Sequence, residues 1–219
     1  MTDLKAMNII IYDKFKKLKD ANLSAPLLVS SNRYLHSLTK HPIMYIGQET
    51  NGWVNYDDGH MDFDKIEDTY DNFLIDYHTS KSLFWSFLKK ATGLSYEEFS
   101  KQIIWCNTLI AGKKDAIGTP NITNELKDIS LEYLLFLYNY FKPLYVIDVS
   151  GPNNPYYDVT TKFLDTIGSN ISTSYPSKEN YILMDDIKNI VWTYHPKKIN
   201  MDQKTGEVTD KILEKIRKY

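Results

Sequence analysis

Three short clusters in this sequence hold residue types that can do chemistry together: Gln48-Glu49-Thr50-Asn51, Asn107-Thr108 and His195-Pro196. A carboxylate such as Glu49 can stabilise positive charge developing on a substrate, or position and deprotonate a water. An imidazole such as His195 can direct a hydrogen-bond donor at a departing group. The amide of Asn107 offers a donor and an acceptor on one planar edge. Each cluster directly follows an apolar run, as does a fourth, Ser150-Gly151-Pro152-Asn153-Asn154.

Those apolar runs have the length and bounding residues of buried strands: "PIMYIG" (42–47), "QIIWCNTL" (102–109), "PLYVIDVSG" (143–151) and "NIVWTYHP" (189–196). Their near-continuous apolar character is that of parallel strands covered on both faces. Helical patterns lie between them. "SKSLFWSFLKKATG" (80–93) ends on Gly, "SLEYLLFLYNYFKP" (130–143) ends on Pro, and "PYYDVTTKFLDTIG" (155–168) opens with Pro and closes with Gly. Strands alternating with helices predict a three-layer α/β/α domain over residues 1–219, around a mainly parallel four-stranded sheet. Residues 1–40 read as a helical packing segment and 200–219 as a helical tail. "MDDIKN" before the last strand is compatible with a hairpin that adds an antiparallel edge strand. In such sheets ligands bind beyond the strands' carboxyl ends, so the four clusters are expected to converge on one rim.

Composition sets bounds on partners. Lys plus Arg number 26 against 28 acids, a net charge of −2, so no global charge advertises a polyanion. Nine acids against Lys65 alone lie between Glu49 and Asp76, whereas seven Lys/Arg against four acids follow from Lys197 to Tyr219. Phosphate contacts are therefore expected at the C-terminal end. Arg33 and Arg217 are the only arginines, too few for guanine reading by a basic surface. The lone Cys106 excludes an internal disulfide and suits a reducing compartment. With no leader-like start and no bilayer-length apolar run, the expectation is a cytoplasmic protein without a membrane. His36, His41, His60 and His78 have no helical metal-site spacing, and Asp57, Asp58, Asp62 and Asp64 lack the spacing of a calcium loop. No metal or cofactor is expected. The abundance of Lys, Asn, Ile and Tyr points to an AT-rich, bacterial type of genome.

Taken together, the strand ends resemble the uracil-DNA glycosylase superfamily. "GQETNGW" resembles the motif commonly written Gly-Gln-Asp-Pro-Tyr-His, with Glu49 at the catalytic carboxylate. "IIWCNTLIAG" is similar to the strand ending Leu-Leu-Leu-Asn-Thr, which places Asn107 at the base-reading asparagine. "WTYHPKKI" resembles His-Pro-Ser-Pro-Leu, with His195 at the histidine that stabilises the departing base. The resemblance implies hydrolysis of an N-glycosidic bond in DNA, with the target base extruded, as in base-excision repair. It also implies a base pocket lined by Gly47, Gln48, Asn51 and Trp53, the last a candidate stacking face. Ile199, four residues after His195, stands at the position that wedges into the duplex, and Lys197 and Lys198 stand where phosphates would be met.

The chain departs from the pattern at three adjacent letters. Glu replaces Asp at 49, Thr50 replaces the turn proline, and Asn51 stands where a tyrosine excludes thymine. Other readings stay open: a non-catalytic member that binds a base, nucleotide or protein, and a hydrolase of a free nucleoside or other small glycoside. Trp53 and Ile199 also fit packing roles, and Asn107 a backbone-bonding one.

Overall fold

The computed structural model describes residues 3–18, 22–31, 42–51, 53–54, 63–76, 82–116, 118–153 and 155–217. His36, His41, His60, His78, Arg33, Asn154 and the acids Asp57, Asp58 and Asp62 lie outside the described residues.

The four apolar runs become strands β1 (Ile43–Gly47), β2 (Ile103–Asn107), β3 (Tyr145–Asp148) and β5 (Ile190–Thr193), all mutually parallel. A further strand, β4 (Ile182–Asp185), pairs antiparallel with β5, so the sheet has five strands in the order β2-β1-β3-β5-β4 rather than four. The hairpin between β4 and β5 is pinned by the Asp185 carboxylate. It accepts from the backbone N–H groups of Ile187 and Lys188 at 3.0 Å, and from Ser169 and Asn170 in the loop beside it.

The helices are α1 (Leu4–Lys16), α2 (Phe63–Asp76), α3 (Leu83–Thr92), α4 (Tyr96–Gln102), α5 (Asn124–Phe141), α6 (Tyr156–Thr166), α7 (Pro196–Met201) and α8 (Thr205–Ile216). Strand alternation assigns them to faces. In the observed register Tyr45, Gly47, Trp105, Asn107 and Tyr145 share one face. On that face Tyr45 donates to the Phe84 carbonyl of α3 at 3.0 Å, and Tyr145 donates to the Lys215 carbonyl of α8. Asp148 and Trp192 belong to the opposite face, where Thr160 and Tyr157 of α6 meet them. Helices α1, α5 and α6 pack among themselves there, as α3, α7 and α8 do on the first face.

β2 is the edge strand beside β1, and its outer rim is closed by a side chain. The Tyr70 phenol of α2 donates to the Trp105 carbonyl at 3.0 Å and accepts from the Trp105 N–H at 3.1 Å. That satisfies backbone groups an edge would otherwise offer to another chain. Among the described residues, no helix is long and apolar enough to cross a membrane.

Candidate functional site at the strand carboxyl ends

The site begins where β1 stops. Gly47 is buried against the end of β2, and a Cβ there would collide with the Asn107 amide and press within about 3.0 Å of the Phe84 ring. Beyond it the chain turns, and side-chain contacts help to hold the turn. Gln48 Nε2 donates to the Ser150 carbonyl at 2.7 Å, strapping the tip of β1 to that of β3. The buried Thr50 hydroxyl meets that of Ser24 at 3.1 Å.

Glu49, Asn107 and His195 come from three different strand ends, and all three line one cavity of about 430 Å³. Strand parity explains the convergence of the latter two: Asn107 ends β2 on the face shared with Tyr45, and His195 continues the parity of Val191 and Thr193 on β5. Gln48, Asn51, Trp53 and Lys197 line the same cavity; Asn51 and Lys197 are exposed at its rim. Gly47 lies behind Asn107 rather than on the wall.

Three polar groups of the cavity, Asn107, His195 and Glu49, are held in definite states. The Asn107 amide is oriented by backbone: its nitrogen donates to the Cys106 carbonyl at 3.0 Å and its oxygen accepts from the Thr50 N–H at 3.2 Å. Among the described residues, one N–H and one lone pair of this amide remain for a ligand. His195 caps α7, its Nδ1 accepting from the Lys197 N–H at 3.2 Å. The ring proton of the neutral imidazole therefore sits on Nε2, which has no hydrogen-bond partner among the described residues. Burial, helped by the Lys197 charge, pulls the His195 pKa down to about 4, so the ring is neutral at physiological pH. Burial pushes the Glu49 carboxyl above the ordinary carboxylate value, and a hydrogen bond from Tyr156 works against that push.

The remaining walls are mostly aromatic, and apart from Trp53 the resemblance did not single them out. Trp105 of β2 stacks on Phe73 of α2 with centroids 5.0 Å apart, and Trp53 stands edge-on to Trp105 at 5.6 Å. Trp53 is 6 % exposed and packed on two rings, which makes it a wall of the cavity more than a free stacking face. Phe84 lies 6.2 Å from His195 at an interplanar angle of 21° and also approaches Gly47. Phe73 and Leu83 are about two-fifths exposed at the rim. A signal for Trp105 was present, since it sits two residues before Asn107 and so on the same face.

The segment after His195 is the helix α7, opened by Pro196 at its first turn, and this corrects the expectation for Ile199. In a helix the fourth residue after the cap returns to the inner face, so Ile199 is fully buried and cannot enter a duplex. Lys198 is paired with Asp202 at 2.7 Å, leaving Lys197 as the one cation on the cavity among the described residues.

Among the described residues no three His, Cys, Asp or Glu side chains converge as metal ligands. No protein-family model matches the chain, and no curated protein matches it.

Proposed function

We propose that this chain is a uracil-DNA glycosylase-like hydrolase that breaks the N-glycosidic bond of a base swung out of DNA into the cavity. The observation that supports this reading most is that Glu49, Asn107 and His195, each from a different strand end, line one cavity with aromatic walls. The base enters beside Phe84, which supplies a π face between the Asn107 amide and the His195 ring. The remaining N–H and lone pair of Asn107 pair with an acceptor–donor edge such as that of uracil.

As the C1′–N bond breaks, its electron pair leaves with the base, and the neutral His195 holds the developing oxyanion through Nε2–H. The Glu49 carboxylate faces the cationic sugar and accepts a proton from the water whose oxygen bonds to C1′. That proton then neutralises the departed base. A neutral histidine is the right donor here, because a charged one would be costly to hold in a buried site at neutral pH.

The test is base release from single- and double-stranded oligonucleotides carrying uracil, hypoxanthine or a mismatched base. Glu49→Gln and His195→Ala are each expected to lower turnover by roughly 100-fold or more. Absence of release from every such substrate overturns the reading.

One feature favours a free nucleoside as the substrate instead. Among the described residues the mouth carries the apolar Phe73 and Leu83 and one cation, Lys197, and the wedge position is buried. Cleavage of free nucleosides, with no salt dependence of the kind phosphate contacts impose, selects this second reading.

A further inference from the structure

Tyr156 opens α6, the helix that follows β3, and its ring is 4 % exposed. Its backbone N–H is held by the Asn153 carbonyl at 3.1 Å. Its phenol lies between two loops: it donates to Oε2 of Glu49, and it meets the Thr119 hydroxyl of the β2–α5 connection at 3.0 Å. With the phenolic proton committed to the carboxylate, the Thr119 hydroxyl is the donor of that second bond. Glu49 Oε1 has no hydrogen-bond partner among the described residues, and Glu49 lines the cavity. The carboxylate thus has one oxygen fixed from behind and one left for whatever enters.

We propose that Tyr156, itself oriented by Thr119, is the positioning residue for the Glu49 carboxylate, fixing Oε2 against α6 and presenting Oε1 to the cavity. Three features make this arrangement consequential. Glutamate is a methylene longer than aspartate and has one more rotatable bond, so it needs a fixed partner to hold one geometry. The phenol contacts the carboxylate from the side of α6, outside the cavity lining, and so takes no space from a ligand. Burial favours the neutral acid, whereas a phenol donor favours the carboxylate, the form that can accept a proton from water. The other titratable or charged groups described on this cavity are His195, which is neutral, and the exposed Lys197.

The experiment is a 13C NMR titration of glutamate side-chain carboxyls in the full chain, with the Glu49 resonance assigned by its loss in Glu49→Gln. In Tyr156→Phe the Glu49 midpoint is expected to rise by roughly half a pH unit or more, and in Thr119→Ala by a smaller amount in the same direction. An unchanged midpoint in Tyr156→Phe overturns the proposal; should that variant fail to fold, an unchanged midpoint in Thr119→Ala does so. The catalytic consequence rests on the hydrolytic reading above: the acidic limb of kcat/KM should move with the midpoint, with KM little changed. The titration needs no substrate, so a shifted midpoint in a protein that cleaves nothing sinks the hydrolytic reading and leaves Tyr156 in its role.

Discussion

Gly47 carries no side chain because Asn107 and Phe84 occupy the space that a Cβ would need. Its φ is not in the left-handed region, so the requirement is one of close approach and not of backbone freedom. The consequence is local and severe. Gly47→Ala must push the Asn107 amide off the Cys106 carbonyl and the Thr50 N–H that orient it, or move the ring that faces His195. Overpacking of this kind costs about 1–3 kcal/mol, which urea unfolding will read. Binding of free uracil, followed by chemical-shift perturbation, should weaken in Gly47→Ala by more than that loss of stability alone can explain. Uracil binding equal to that of the parent chain would show that the Asn107 amide is not what reads the ligand.

The aromatic wall depends on how α3 starts. Ser82 is its N-cap, accepting from the Trp85 N–H at 3.3 Å, and the first turn that it fixes carries Leu83, Phe84 and Trp85 to the cavity. Ser82→Ala is expected to lower stability by about 1 kcal/mol and to weaken ligand binding together with it, as checked by thermal unfolding and a binding titration. The glycine stop of α3 was legible in the sequence, as were the four parallel strands, because buried strands write themselves as continuous apolar runs and glycine stops a helix visibly; the Ser82 cap at its start was not read. The convergence of Asn107 and His195 was legible for the same reason, since parallel strands deliver their ends to one rim. Other parts were hidden by competing signals. Helix α2 buries Ile66, Tyr70 and Leu74 at helical spacing, but its acids dominate the eye, and one of them, Glu67, is itself buried, accepting from Asn8 and Ser31. Tyr156 reads as one more apolar residue on an amphipathic helix until the fold brings Glu49 against it. The wedge assignment of Ile199 overlooked Pro196, a helix-start signal, and in a helix the fourth residue after the cap turns inward.

At the scale of the whole molecule, two buried groups on the two faces of the sheet give opposite dependences of stability on pH. Asp148, at the end of β3, is fully buried, and burial raises its pKa from 3.8 to about 6 despite bonds from the Ser150 N–H at 2.7 Å and the Thr160 hydroxyl at 3.3 Å. The native state therefore binds this proton more tightly than the unfolded chain. Its contribution is full below about 3.8 and is lost as pH rises to about 6. His195 runs the other way. Its pKa falls from 6.5 to about 4, so the unfolded chain holds the proton more tightly, and the contribution is full above about 6.5 and is lost as pH falls to about 4. Between pH 4 and 6 the two slopes oppose each other, each by up to about 1.4 kcal/mol per pH unit. Asp148→Asn keeps an acceptor for the Ser150 N–H and removes one titration, so its unfolding free energy should climb more steeply with pH than that of the parent. His195→Gln should show the reverse, a steeper fall across the same window. Urea unfolding at half-unit steps from pH 4 to 6.5 measures both, and parallel profiles for all three proteins would refute the assignment. The cost of burying Asp148 has a structural return: its carboxylate holds the Ser150 N–H, and the Ser150 carbonyl holds Gln48, so the charge that destabilises the chain at neutral pH also ties the strand tip beside which Glu49 stands.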